Sequence, residues 1–222
     1  WLVARGNKQE ADAMIERKEY LQRLYDWKDE QVIKVVTGIR RCGKSTLLKQ
    51  YQEKLLQSGI LPEQIISINF EDLEYEELLD YKALYRYIKE RLCEGKMTYI
   101  FLDEIQKVDS FEKAVDSIYI KDMTDIYITG SNAKLLSGEL ATYLAGRYIE
   151  FIIYPFSFGE FRELYTSVFP AANPAQAFRE YLTAGGMPYL ANLRYAREPC
   201  RQYLEALYDS VVLKDIVKRN NV

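Results

Sequence analysis

The chain has 222 residues, 48% of them hydrophobic and 28% charged, which is the composition of an ordinary globular protein. The odd number of cysteines fits a reducing, cytoplasmic location, and no stretch approaches the ~20 apolar residues of a membrane-spanning helix, so we expect a soluble protein without a membrane partner. Because it contains no histidine and only three cysteines at unrelated spacings, a His-based catalytic triad and a zinc site are excluded. The net charge of −3 gives no overall basic field, so nucleic-acid binding would require a local patch.

The first element that we predict is an amphipathic helix within residues 10–27, where apolar side chains recur among many charges. We interpret it as a helix that packs on the sheet, or alternatively as one wall of an adenine pocket. Since the chain begins at Trp1 and ends within charged, helical sequence, we expect it to be part of a longer protein.

A phosphate-binding loop is predicted where the apolar run 32–36 ends and helical periodicity begins at Leu47. The residues Gly38, Gly43, Lys44 and Ser45 fit the pattern G-x-x-x-x-G-K-[S/T], in which backbone N–H groups surround phosphate oxygens. Glycine lets the backbone approach an anion, Lys44 supplies positive charge to the β- and γ-phosphates, and the Ser45 hydroxyl can bind Mg²⁺.

Other residues of this loop are also candidates for contact with the nucleotide. They are Arg41, Cys42 and Thr46. For Arg40 and Arg41 we keep two alternatives, a surface charge or a contact with a phosphate or a partner.

A second strand is predicted at 65–70 and a helix at 75–92, with Leu78, Tyr81 and Tyr85 on one face. We interpret this stripe as core rather than as a platform on which bases stack.

Two adjacent acids, Asp103 and Glu104, follow a third and wholly apolar strand at 97–102. Buried acids are costly unless water, a cation or hydrogen bonds compensate them, so a solvated turn is a poor explanation. In a nucleotide-binding sheet Asp103 would hold Mg²⁺, and Glu104 would polarise the water that attacks the γ-phosphate.

A fourth strand, 126–129, precedes Ser131 and Asn132, and either residue could sense the γ-phosphate or, in the case of Asn132, stabilise its own turn. A helix through 135–144 is then predicted, followed by Arg147 and a fifth strand at 148–154. Arg147 could be an arginine finger or sensor, in its own subunit or a neighbour's, or it could neutralise a helix C-terminus.

The remaining sequence predicts helices. Ser157 and Glu160 form a capping box, 166–174 is a linker, and Asn173 with Pro174 can begin the next helix. We therefore expect a P-loop α/β domain at 1–165 and a small helical lid, truncated in this chain, at 166–222.

The sequence resembles the AAA-superfamily predicted ATPases of bacteria and archaea over nearly its whole length. The resemblance rests on the loop 38–48, Phe101-Leu-Asp-Glu-Ile-Gln-Lys-Val, Ile128-Thr-Gly-Ser-Asn-Ala-Lys-Leu-Leu, Leu144-Ala-Gly-Arg, Tyr154-Pro-Phe-Ser-Phe-Gly-Glu-Phe and Ala184-Gly-Gly-Met-Pro. It implies a nucleotide-binding sheet with a helical or winged-helix extension, and a C-terminal nuclease-like domain that this chain lacks. It also implies Lys44 and Ser45 as phosphate and magnesium residues, Asp103 and Glu104 as the acidic pair, and Asn132 or Ser131 as sensor.

We thus predict an AAA-type fold with a five-stranded parallel sheet, in which the acidic strand is separated from the loop strand. The expected activity is ATP hydrolysis, with ATP and Mg²⁺ as cofactors and Glu104 as the residue that activates water. Alternatives are a nucleotide-gated interaction module with little turnover, a DNA-associated ATPase and a small-molecule kinase. A GTPase is disfavoured because the sequence has no Asn-Lys-x-Asp stretch. A homo-oligomer or a protein partner would be needed if a neighbour's Arg147 completes the site.

Overall fold

A computed structural model describes residues 15–130 and 144–211. They fall into two compact units, one of residues 18–130 with 144–153 and one of residues 15–17 with 154–211. Within these residues, every helix is too short or too polar to cross a lipid bilayer.

The first unit is a parallel sheet flanked by helices. Its helices are α1 (Lys18–Asp26), α2 (Lys44–Gln57), α3 (Tyr81–Lys89) and α4 (Phe111–Tyr119). Its strands are β1 (Ile33–Gly38), β2 (Ile65–Asn69), β3 (Thr98–Asp103), β4 (Thr124–Thr129) and β5 (Tyr148–Ile153). Short 3₁₀ turns lie at Pro62–Gln64, Leu73–Leu78 and Ile105–Lys107.

The sheet has the strand order β2-β3-β4-β1-β5, and all neighbouring strands are parallel. The five-stranded parallel sheet is therefore confirmed. Since β4 lies between β1 and β3, the acidic strand is separated from the strand that leads into the phosphate loop, as predicted. Parallel strands end at the same edge, so the segments after β1, β3 and β4 meet there.

Apolar side chains cover both faces of the sheet, as parallel strands require. On one face, α3 and α4 pack with Leu84, Ile88 and Val115 against the strands. On the other face, α1 and α2 contribute Leu24 and Tyr51, both fully buried. The helices thus hold the strand ends, and the loops that follow them, in fixed positions.

Three local predictions differ from the structure. The helix predicted at 75–92 is a 3₁₀ turn followed by α3, because Asp80 accepts hydrogen bonds from the N–H groups of Lys82 and Ala83 and so begins a new helix. The segment Asp109-Ser110-Phe111-Glu112 predicts a helix start with a capping acid, but Ser110, which precedes α4, has a left-handed conformation and makes no side-chain cap. The amphipathic helix predicted within 10–27 begins only at Lys18 in the described residues.

The second unit consists of helices. They are α5 (Phe158–Val168), α6 (Pro174–Ala184) and α7 (Arg197–Val211), with a 3₁₀ turn at Pro188–Leu190. Both predicted helix starts are confirmed: Ser157 and Glu160 form a capping box, as do Asn173 and Gln176. Residues 154–211 contain no strand, so this part of the chain is helical and carries no wing.

The centre of the second unit is aromatic. The rings of Tyr165, Tyr181 and Tyr195 each lie 5.2–5.5 Å from the ring of Phe161. The motif that begins at Tyr154 contacts the motif that begins at Ala184. The carbonyl of Gly186 accepts a hydrogen bond from the N–H of Phe156 at 2.7 Å. A Cβ on Gly186 would lie 2.2 Å from the carbonyl oxygen of Phe156, so only glycine allows this approach.

The second unit begins at Tyr154, whereas our predicted domain boundary, between 165 and 166, falls within α5. The side chain of Arg17, buried with 4% exposure, also belongs to this unit and donates to Glu160 at 2.9 Å and to the Tyr154 carbonyl at 2.8 Å. The division into functional domains stays a prediction.

Candidate nucleotide site

The predicted phosphate loop connects β1 to α2 at the carboxyl edge of the sheet. Lys44 is 5% exposed, and its ammonium donates to the carbonyls of Gly38 at 3.1 Å and Ile39 at 3.3 Å. The loop therefore wraps around a buried cation. Because α2 begins at Lys44, the positive end of the helix dipole adds to this charge, and the loop is suited to bind an anion.

Two glycines of the loop have different structural roles. A Cβ on Gly38, at φ 145°, would lie 2.2 Å from the Ile153 carbonyl oxygen of β5 and 2.9 Å from the Sγ of Cys42. Gly43, at φ 102°, has no atom close to the position of a Cβ, so its requirement for glycine is conformational. Gly38 thus permits close packing of β1 and β5, and Gly43 allows the turn into α2.

The other predicted loop residues lie around this cation. Cys42 is fully buried, Ser45 is half-buried in the first turn of α2, and Thr46 and Arg41 are exposed. Arg41 has φ 63°, a left-handed conformation that is uncommon for a residue with a side chain.

The acidic pair is held by Thr129, the last residue of β4. The hydroxyl of this buried threonine donates to Oδ1 of Asp103, and it accepts the backbone N–H of Glu104 at 3.0 Å. One side chain thereby fixes both the carboxylate of Asp103 and the backbone position of Glu104. Thr129 is not among the residues predicted from the sequence, since the candidates in that region, Ser131 and Asn132, lie beyond the strand end. The signal that found Asp103, a polar residue at the end of a buried strand, also applies to Thr129.

A second contact holds the side chain of Glu104. Its Oε2 accepts a hydrogen bond from Nε2 of Gln106 at 2.5 Å, and Glu104 itself has φ 55°. The other amide atom, Oε1 of Gln106, is buried and has no partner within the described residues. Glu104 is therefore engaged by its own chain in this conformation.

The strand order brings the loop and the acidic pair to one edge. Val36 of β1 is in register with Thr129, and β3 lies on the opposite side of β4. Strands two positions apart are separated by roughly 10 Å, because neighbouring strands lie about 4.8 Å apart. The phosphate loop after β1 and the acidic pair at the end of β3 therefore lie at one edge of the sheet, on either side of the end of β4.

Three further site residues are predicted from the sequence, and of these only Arg147 lies within the described residues. Ser131 and Asn132 lie outside the described residues. Arg147 lies at the opposite edge of the sheet, where its carbonyl accepts the N–H of Ile33, the first residue of β1. Gly38 ends the same strand about 16 Å away at ~3.3 Å per residue.

The side chain of Arg147 has local partners. It forms an ion pair with Asp116 of α4, and its guanidinium lies over the ring of Tyr119 at 5.6 Å. Among the alternatives for Arg147, this geometry favours a structural role in its own chain.

The same amino edge carries a buried ion pair that the sequence did not suggest. Lys34 donates to Asp125 at 2.6 Å, and both side chains are fully buried. Asp125 also accepts the N–H of Asp29 at 2.9 Å and the hydroxyl of Tyr127 at 3.0 Å. Burial lowers the pKa of Lys34 and raises that of Asp125, and each charge opposes the shift of the other.

Comparison with known proteins places the chain in a family. The family model described as AAA domain matches residues 30–162, which include β1 to β5 and the candidate site. The chain belongs to this AAA domain family, and its fold is that of the P-loop ATPases.

Two relatives are similar to the chain in sequence. An uncharacterized protein of Haemophilus influenzae is 43% identical over 212 residues, which are 95% of this chain and 52% of that protein. The uncharacterized protein MJ1544 of Methanocaldococcus jannaschii is 32% identical, over 86% of this chain and 43% of that protein. The chain thus spans about half the length of either relative.

Solved structures share the fold at low sequence identity. The Walker-type ATPase PABY2304 of Pyrococcus abyssi superposes with a TM-score of 0.60 at 16% identity, covering 98% of this chain and 79% of that one. PCH-2 of C. elegans superposes with a TM-score of 0.54 at 16% identity, covering 86% of this chain and 64% of that one.

Proposed function

We propose that this chain binds ATP together with Mg²⁺ and hydrolyses it. The observation that carries the proposal is the pair of Asp103 and Glu104, which Thr129 fixes at the same edge of the sheet as the phosphate loop, with β4 between them. A loop that only binds phosphate does not need a positioned acid at this place. A carboxylate beside the γ-phosphate can instead orient and deprotonate water.

Each residue has a role that follows from its chemistry. Lys44 and the backbone N–H groups that begin α2 would hold the β- and γ-phosphates, with Arg41, Cys42 and Thr46 beside them. Glu104 would accept a proton from the attacking water once its carboxylate is released from Gln106. Thr129 would keep Glu104 in place by holding its backbone.

The residues present also fit a magnesium ion. Ser45 offers a hydroxyl and Asp103 a carboxylate with one oxygen that Thr129 does not occupy, and Mg²⁺ prefers such oxygen ligands. No group of three or more Asp, Glu, Cys or His side chains able to hold a metal occurs in residues 15–130 and 144–211. Nucleotide phosphates and water would complete the shell, and the bound ion would neutralise charge that develops on the phosphates.

A second candidate is a nucleotide-gated interaction module that turns ATP over slowly. The contact of Gln106 with Glu104 supports it, because a carboxylate engaged in this way is not free to activate water. Arg147 lies far from the loop of its own chain, so charge stabilisation in the transition state would need another cation.

Calorimetric titration with ATP and GTP, each with Mg²⁺, tests the binding half of this proposal. We expect ATP to bind in preference to GTP, and Lys44→Ala to weaken binding by at least about tenfold, since a buried charge-assisted contact is worth ~1.5–3 kcal/mol. Lys49→Ala is the matched control, because Lys49 is exposed on the same helix. Binding that is indifferent to Lys44, or tighter for GTP, would contradict the proposal.

A further inference from the structure

A cationic groove lies between α3 and α4, on the face of the sheet opposite α2. It encloses about 400 Å³, within the ~300–1,000 Å³ typical of ligand pockets. Lys82 and Arg86 of α3 and Lys113 of α4 line it, together with the rings of Tyr81 and Tyr85. Although the chain carries a net charge of −3, this groove is therefore locally basic.

Within residues 15–130 and 144–211, the three cations of the groove have no acidic partner. Their side chains are exposed, and none forms an ion pair with a described carboxylate. Asp80 also lines the groove, but its Oδ1 already accepts the N–H groups of Lys82 and Ala83 at 3.0 Å each. Since three cations line the groove against this one carboxylate, the groove keeps a net positive charge that suits an anionic ligand.

Aromatic rings lie among these charges. The ammonium groups of Lys82 and Lys113 lie 5.7 and 5.3 Å from the ring centre of Tyr81. Tyr85, one helical turn further along α3, is half-exposed. Tyr81 is likewise half-exposed, so parts of both rings are accessible among these cations.

We propose that this groove binds single-stranded nucleic acid, with Lys82, Arg86 and Lys113 on the backbone phosphates and bases stacked on Tyr81 and Tyr85. Cations interleaved with aromatic rings are what single strands require. A duplex keeps its bases stacked inside, so it could not use the tyrosines. An acidic peptide could pair with the cations but would gain little from the rings.

From the sequence, the face of α3 that carries Tyr81 and Tyr85 is predicted to be core. Both tyrosines are partly buried against the core, and the structure shows that they also line the groove.

The groove is connected to the candidate ATP site through β3. The helix α3 precedes this strand, and residues 104–110 connect the end of the strand to α4. A ligand that draws α3 and α4 together would act at both ends of the strand that carries Asp103. Coupling between the groove and the ATP site goes beyond the proposed function. Binding of nucleic acid in the groove does not depend on that coupling.

Fluorescence anisotropy of a labelled 20-residue oligothymidylate, titrated with the whole chain, tests the proposal. We expect binding that weakens with salt, with a slope of log K against log [salt] near −2, because each of three phosphate contacts contributes about −0.7. The combined variant Lys82→Gln, Arg86→Gln, Lys113→Gln should lose more than tenfold in affinity and most of this slope. Tyr81→Leu should lose about fivefold or more, while Tyr81→Phe should bind as the original chain does.

The matched control removes two lysines and one arginine elsewhere: Lys18→Gln, Lys96→Gln, Arg179→Gln, all exposed. It should retain binding. Circular dichroism verifies that each variant is folded. If a triple variant does not fold, its three substitutions are measured singly instead. Absence of binding at low salt, or equal loss in both triple variants, would overturn the proposal. So would duplex DNA or polyglutamate binding as tightly as oligothymidylate, with no effect of Tyr81→Leu.

Discussion

Thr129 connects the two acids of the candidate site, because its hydroxyl donates to Asp103 and accepts the backbone N–H of Glu104. Groups that orient metal ligands typically affect metal affinity or activity by 10–100-fold when they are removed. We therefore expect Thr129→Val to lower ATP turnover by about 10–100-fold and to raise the Mg²⁺ concentration needed for half-maximal turnover. The measurement is phosphate release over a magnesium titration.

Thr129→Ser is the control, because serine keeps the hydroxyl. It should retain most of the turnover. Equal turnover in Thr129→Val and the original chain would show that the acids do not need this contact.

Gln106 should restrain turnover, since it holds the carboxylate of Glu104 at 2.5 Å. Removing a hydrogen bond worth ~1 kcal/mol would increase the fraction of free Glu104, so we expect Gln106→Leu to raise the basal rate by up to about fivefold. Steady-state phosphate release measures this effect. A rate that falls instead would mean that Gln106 positions Glu104 for the reaction.

The ion pair of Lys34 and Asp125 should matter for stability rather than for turnover, because it lies at the amino edge of the sheet. Breaking a buried pair leaves one charge uncompensated, which costs about 3–5 kcal/mol, so we expect Lys34→Met to lower the free energy of unfolding by that amount. Urea denaturation measures it.

Adding Asp125→Asn to Lys34→Met should recover part of this loss. Asparagine removes the unpaired charge and keeps an acceptor for Asp29 and Tyr127. A double variant less stable than Lys34→Met alone would contradict this account.

Arg147 should act within its own chain through Asp116. Both side chains are partly exposed, at 42% and 35%, so Arg147→Ala should cost only about 0.2–1 kcal/mol in the free energy of unfolding. Turnover should stay near that of the original chain. If Arg147→Ala lost its turnover and regained it when mixed with Glu104→Gln, Arg147 would instead be acting in a neighbouring subunit.

Glu160 should make the second unit sensitive to acid. Burial alone would raise its pKa, but hydrogen bonds from Arg17 and Ser157 outweigh burial and hold the pKa below the usual value. A carboxyl whose pKa is lowered by folding stabilises the fold above its unfolded pKa of about 4.3, and this contribution is lost as pH falls through the folded value.

Arg17→Ala should therefore reduce stability by ~1.5–3 kcal/mol at neutral pH, and the difference from the original chain should shrink below pH 4. Thermal unfolding across this range measures the difference, with the exposed Lys18→Ala as control. A difference that is independent of pH would exclude Glu160 as its cause.

Much of the sheet could be predicted from the sequence because parallel strands are continuous apolar runs that end in polar residues. This pattern located β1 and β3 together with Asp103 and Glu104 at the edge of the sheet, and the glycine motif after β1 located Lys44. The break before α3 was missed because apolar periodicity continues through the 3₁₀ turn, while the cap at Asp80 depends on backbone geometry.

Contacts between distant residues could not be predicted in this way. The pair of Lys34 and Asp125 joins positions 91 residues apart on adjacent strands, and nothing near either residue indicates its partner. The predicted role of Arg147 rested on its place before a strand, but that place is the amino edge, away from the phosphate loop. Which distant residues come into contact depends on the strand order, and local sequence patterns do not determine the strand order.

The central claim is that Glu104 activates water against ATP held by Lys44, and phosphate release from ATP tests it most directly. The original chain, Glu104→Gln and Lys44→Ala should be compared at several protein concentrations with Mg²⁺ present. We predict that both variants lose turnover, while Glu104→Gln still binds ATP and Lys44→Ala binds it weakly. Equal turnover in Glu104→Gln and the original chain would contradict the claim.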